Sequence, residues 1–181
     1  MTKLLCILVV SICFGTLACT AKTPTSTASL GEGFAIYLTA QNVPVSQMPA
    51  LSHVDLAENP VVSVSDVVSY DWGTHEIKLT SAAMKRLDAL QVPTSGTSFV
   101  ICVDRQPVYW GAFWAGYSSQ SFDGITIMLK PPMSMQENTI QIGQGYPSSS
   151  FYKGEDPRSD SLIMESLQRA GKIALPSPEP R

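Results

Sequence analysis

Two histidines and four cysteines are all that this chain of 181 residues offers for imidazole or sulfur chemistry. It has no GxSxG elbow, HExxH pair, CxxC pair, P-loop or Rossmann glycine pattern, so the usual hydrolase, zinc-protease, redox and nucleotide signatures are all missing. Basic residues are sparse as well. Lys and Arg number 12 against 15 Asp and Glu, without a run or stripe, which excludes nucleic acid as a partner and a polybasic hold on a membrane. The apolar run Leu4–Ala18 would make roughly 22 Å of helix at about 1.5 Å per residue, short of the roughly 30 Å hydrocarbon core of a bilayer.

What is there begins with that run. Lys3, the apolar stretch and Thr16-Leu17-Ala18-Cys19 read as an export signal, residues 1–18, ending at a cysteine placed for lipidation. Two other readings are a plain secretory cut after Ala21 and an uncleaved anchor. Cys6 and Cys13 leave with the signal, so an exported chain keeps Cys19 and Cys102, and acylation of Cys19 removes the hazard of two free thiols outside the cytoplasm. Cys102 sits in the apolar segment Phe99–Val103 and reads as an inert core residue. Loss of residues 1–18 removes only Lys3, leaving a net charge of -4. Residues 19–33, rich in Thr, Ser, Ala and Gly, read as the lipidated cysteine and a flexible tether of roughly 20 Å. A single domain is expected over 34–175 and a disordered tail over 176–181.

Within the domain the pattern predicts an α+β fold with a mostly antiparallel sheet and two main helices, about 80–91 and 157–170. Strands are expected at Phe34–Leu38, Val67–Trp72, His75–Leu79, Thr97–Val103, Val108–Trp114, Gly124–Leu129 and Thr139–Gly143. Gly73-Thr74 fits a two-residue type II′ hairpin turn. Thr80 is placed to cap the first helix, with Ala83, Met84, Leu87 and Leu90 as its apolar stripe and Pro93 as its stop. Asp156-Pro157 should open the second helix, Leu162, Ile163, Leu167 and Ala170 should line it, and Gly171 should close it.

Chemistry-bearing residues are few. His75 lies at a hairpin entry and His53 in a loop next to Asp55, and a lone histidine in such places is more often a hydrogen-bonded structural residue than a base. Glu155, Asp156 and Asp160 could hold a hard cation, but carboxylates at a helix start first serve as caps and lack the alternation of a calcium loop. No metal and no cofactor are implied. A binding surface is the better expectation, built from Tyr109, Trp110, Phe113 and Trp114 and from Tyr146, Phe151 and Tyr152 on the polar loop 143–154. The competing expectation is that Trp110 and Trp114 plug the second layer of the sheet.

Several short motifs, in order, form a resemblance. Ser69-Tyr70-Asp71-Trp72, Thr74–Thr80, Gly111–Trp114, Ser121–Gly124, Gly145-Tyr146-Pro147 and Gly154–Arg158 make the stretch 66–172 similar to a family of uncharacterised bacterial and archaeal membrane-anchored or secreted proteins. A fainter resemblance over 75–127 is to the head of the first extracytoplasmic domain of the export component SecD, with Asp104-Arg105 where that pattern turns with Asp-Gly. It implies fold only.

The function expected on these grounds is a lipid-anchored extracytoplasmic module that binds a ligand or protein and performs no chemistry. One alternative is a hydrolase or metal-dependent enzyme assembled from His75, Asp71 and residues 143–158, and another is a structural envelope protein. Location is the cell membrane through the lipid, or the medium if the chain is simply secreted.

Overall fold

Apolar residues at period two turn one face of each strand inward. In the structure, a computed structural model that describes residues 31–129 and 138–174, eight such strands form one sheet. They are β1 (Phe34–Leu38), β2 (Val62–Ser63), β3 (Val67–Asp71), β4 (Glu76–Leu79), β5 (Thr97–Val103), β6 (Gln106–Ala115), β7 (Phe122–Leu129) and β8 (Thr139–Tyr146). Their order is β2-β1-β5-β6-β7-β8-β4-β3, with every neighbouring pair antiparallel except β6–β7. Two helices, α1 (Ser81–Asp88) and α2 (Ser161–Arg169), complete the α+β fold. The export signal, Cys19, the tether as far as residue 30 and the tail 176–181 lie outside the described residues. Among the described residues no helix is long and apolar enough to cross a membrane.

The main core lies between the helices and one sheet face. Phe34, Ile36, Phe99, Ile101, Phe113, Ile127 and Ile142 from the sheet meet Leu87 of α1 and Ile163 and Leu167 of α2. A smaller cluster on the opposite face joins Ala35, Tyr37, Val100 and Cys102 to Met48, Leu51, Val54, Leu56 and Trp110.

Each helix is shorter than its apolar stripe predicts. Thr80 caps α1, its hydroxyl accepting from the Ala83 amide at 3.3 Å, but the helix stops at Asp88, where the Leu90 amide turns back to the Leu87 carbonyl. The second helix starts at Ser161 and not at Pro157. Asp156 caps only a separate 3₁₀ turn, Pro157–Ser159, and the extended Asp160 accepts from the Leu162 amide at 2.8 Å to begin α2. The buried positions are then Ile163, Ser166 and Leu167, while Leu162 and Ala170 face solvent. The closing Schellman motif is present: Lys172 donates to Leu167 O and Gly171, at φ 66°, donates to Gln168 O.

Two turns depart from the simplest expectation. Asp71 pairs with Glu76, so the β3–β4 loop has four residues, Trp72–His75, and is not a two-residue type II′ turn. The Asp71 carboxylate accepts from the Gly73 and Thr74 amides and dictates that loop, leaving the positive φ (55°) to His75. At the β5–β6 tip both Asp104 and Arg105 have positive φ, a type I′ geometry without its usual glycine. Arg105 is held there by donating to the Ala57 and Glu58 carbonyls and by lying 5.1 Å over the Tyr37 ring.

The parallel pair is the least expected feature. Only residues 116–121 separate β6 from β7, whereas parallel neighbours usually need a crossover of about a dozen residues or more. The short link is pinned by side chains: Ser118 donates to Thr94 O, and the Tyr146 hydroxyl lies within reach of the Gly116 and Ser118 carbonyls. At the sheet's far end the outer edge of β3 is covered by the chain after α2. The Tyr70 amide donates to Lys172 O and Tyr70 O accepts from Ala174, with Ile173 bridged alongside.

Candidate functional site

At one end of the sheet a groove of about 410 Å³ opens between the chain leaving β1 and the segment joining α1 to β5. Its apolar walls come from Leu38, Val43 and Leu90, and its polar rim from Asn42, Gln91 and Thr97. Local chemistry shapes both lips. Asn42 takes a left-handed conformation, φ 49°, and the Val43 amide donates to the Thr39 hydroxyl at 2.7 Å. On the other side the Gly96 amide closes a turn on Pro93 O, and Gly96, at φ 78°, lets the Trp114 ring lie against its backbone. Among the described residues that line the groove none has a titratable side chain. Amide and hydroxyl groups over aliphatic walls can accept an uncharged ligand or an extended peptide, but supply no acid, base or nucleophilic pair. In the sequence Pro93 marks one lip only as the stop of α1, and no sequence signal joins it to the other lip.

The groups considered for catalysis gather elsewhere. His75, the last residue of the β3–β4 loop, is buried, and its Nδ1 is 2.9 Å from the Tyr70 hydroxyl. Burial and the nearby Arg158 cation hold its pKa below the ordinary histidine value. Asp71 is spent on its own loop, its carboxyl held low by the Thr74 and Gly73 amides. Asp156 pairs with Arg158 through two bonds, at 2.8 and 2.7 Å, and this pairing depresses its pKa. Arg158 also donates to Ile142 O, tying the loop to β8. Thus among the described residues no carboxylate is hydrogen-bonded to His75, and His75, Asp71 and Asp156 each have a structural partner. Beside them the Tyr109 hydroxyl is buried without one.

The aromatic residues divide by burial. Tyr109 and Phe113 belong to the main core, and Trp114 is 2% exposed, stacked on Phe122 at 5.2 Å with its ring nitrogen unpartnered. These three cannot face a partner, which corrects their place in a binding surface. Strand alternation explains the split: Tyr109 and Phe113 point to the helices, Trp110 and Trp114 to the second face. Trp110 is half-buried against the smaller cluster, as the layer-plugging expectation required. Tyr146 and Tyr152 are half-buried, their hydroxyls tied to backbone carbonyls, and Phe151 is 43% exposed. Among the described residues the most exposed ring is Tyr117, at 72%, at the end of the same aromatic stretch.

The acidic group at 155–160 acts as helix and turn caps. Asp156 and Asp160 serve backbone amides, and the carbonyl of Glu155 accepts from the Tyr152 hydroxyl. His53 lies on the surface beside Ser52. Among the described residues no three His, Cys, Asp or Glu side chains come together as a metal site. Compared with family models, with curated proteins and with solved structures, the chain matches none.

Proposed function

We propose that this chain is an extracytoplasmic binding module, carried on a lipid at Cys19, that holds an uncharged ligand or an extended peptide segment in the groove between Asn42 and Thr97. The observation that carries the reading is that groove's lining, aliphatic walls and a neutral polar rim. The engagement of His75 with Tyr70 and of Asp156 with Arg158 favours binding over hydrolysis. The signal-like start and Thr16-Leu17-Ala18-Cys19 support the anchor.

The test places a photo-crosslinking residue at Gln91 in the full chain in intact cells, with a second at Glu76 as a control remote from the groove. A discrete adduct from position 91, absent from position 76 and lost in Val43→Glu, is expected. Equal adducts from both positions, or none from 91, would remove the groove from the reading. Robust turnover of a hydrolase substrate that disappears in His75→Ala or Asp156→Ala would replace binding by catalysis. Intact mass of membrane-extracted protein checks the anchor: a chain beginning at Lys22 without lipid would contradict it.

A further inference from the structure

Residues 40–55 form a strap across the second face of the sheet. Its ends meet at a hinge, where the Ala40 amide donates to Asp55 O at 2.8 Å, the Ala57 amide to Leu38 O at 2.9 Å, and Thr39 bridges Leu56. A compact loop whose ends lie side by side and whose own side chains fill it is an Ω-loop. Inside it run two 3₁₀ turns, Val45–Gln47 and Leu51–His53, neither with a side-chain cap.

Its hydrogen bonds stay at home. The Asn42 amide and Val43 amide go to Thr39, Gln47 to Pro44, His53 to Ala50 and Val54 to Leu51. Among the described residues, no hydrogen bond links 41–54 to any residue outside 39–55. Nor is any residue of the strap fully buried. What holds it down is apolar contact of Met48, Leu51 and Val54 with Tyr37, Val100, Cys102 and Trp110. The surface it covers has the opposite character. Ala35, Tyr37, Val100 and Cys102 are fully buried within paired strands, and on the same face of β5 the Ser98 hydroxyl is buried with no partner.

A segment without hydrogen bonds to its support, resting on half-buried side chains above a rigid ladder, opens at a lower free energy than the ladder itself. We propose that the strap lifts as a unit about the Thr39–Leu56 hinge, uncovering Tyr37, Val100 and Cys102 while the sheet stays intact. Asn42 and Val43 belong both to the strap and to the groove, so lifting also opens one wall of the groove. That link to ligand capture rests on the function proposed above; the motion does not.

Cys102 makes the motion measurable. Closed, its thiol is inaccessible, and burial pushes its pKa up to about 12, so it reacts only when uncovered. The full-length protein is treated with a thiol-alkylating reagent across urea concentrations below the unfolding midpoint. Modification of Cys102 is read by peptide mass spectrometry, so other cysteines do not interfere. Without urea, labelling should run at least about tenfold faster than global unfolding permits, with a urea slope less than about half the global one. Labelling that matches global unfolding in rate and slope overturns the proposal. Leu51→Ala removes contacts that are lost in the lifted and in the unfolded state alike, so it should speed labelling by the same factor, about tenfold, by which it raises the global unfolding constant. Labelling left unchanged while global stability falls would show that something other than the strap opens, and would equally overturn it. Neither result depends on whether the groove binds anything.

Discussion

The Tyr70 hydroxyl stands 2.9 Å from His75 Nδ1, so the only buried histidine among the described residues is a structural partner of a core tyrosine. Burial, reinforced by Arg158, lowers the imidazole pKa, while the unfolded chain keeps a value near 6.5. The unfolded state therefore takes up a proton first as pH falls, and the stability contributed by neutral His75 is complete above about 6.5 and lost below it, through the folded pKa. Urea midpoints should drop between pH 7.5 and 5, ahead of the loss from Asp71 and Asp156, whose lowered pKa values act only below the ordinary carboxylate range. In His75→Asn, which tolerates the left-handed backbone and does not titrate, the drop between pH 7.5 and 5 should shrink. An unchanged slope would exonerate His75.

Gly96 should be far less replaceable than Gly171. Both have positive φ, but a Cβ at 96 would sit 2.5 Å from the Trp114 ring, whereas at 171 it meets nothing within 4 Å. Gly171→Ala should cost about 1 kcal/mol from backbone strain alone, and Gly96→Ala about 2–4 kcal/mol as the stacked Trp114 is displaced. Urea denaturation of the two variants decides it, and equal costs would contradict the steric account.

Arg105 occupies a position where glycine would be easier. Arg105→Gly should recover about 0.5–1 kcal/mol of backbone strain but lose two charge-assisted bonds to Ala57 O and Glu58 O and the contact over Tyr37, at about 1–3 kcal/mol. A net loss is expected. A gain in the urea midpoint would mean the arginine contacts contribute nothing at this exposed tip.

Removing the unpaired hydroxyl of Ser98 should be harmless. Ser98→Ala takes away a buried donor with no partner and is expected to change stability between zero and about 1 kcal/mol in the favourable direction. Destabilisation of similar size would show that a bound water satisfies it.

Much of this architecture was legible because it rests on short-range chemistry. A continuous apolar run located β5 to the residue, Thr80 and Gly171 marked helix ends by local capping, and Asp104 marked the β5–β6 tip. The misread features depend on competition between neighbours. Gly73 seemed the natural turn residue, yet the Asp71 carboxylate captured the adjacent amides and moved the left-handed residue to His75. Pro157 seemed the natural helix start, yet Asp160 offered a second cap three residues later. The groove was invisible for another reason: its two lips are about fifty residues apart in sequence and meet only because β1 pairs with β5. Likewise the burial of Trp114 depends on Phe122, which reaches it only through the short parallel link.

The strip of chain at Lys172–Ala174 has a role beyond finishing α2. Its contacts with Tyr70 occupy the outward backbone groups in the middle of β3, on an end strand that also bears the exposed Val68. Left bare, such a border recruits strands from other molecules. Three residues thus act as a chaperone in cis for the sheet's last strand, and the sequence after Gly171 guards the molecule against polymerising through its own rim.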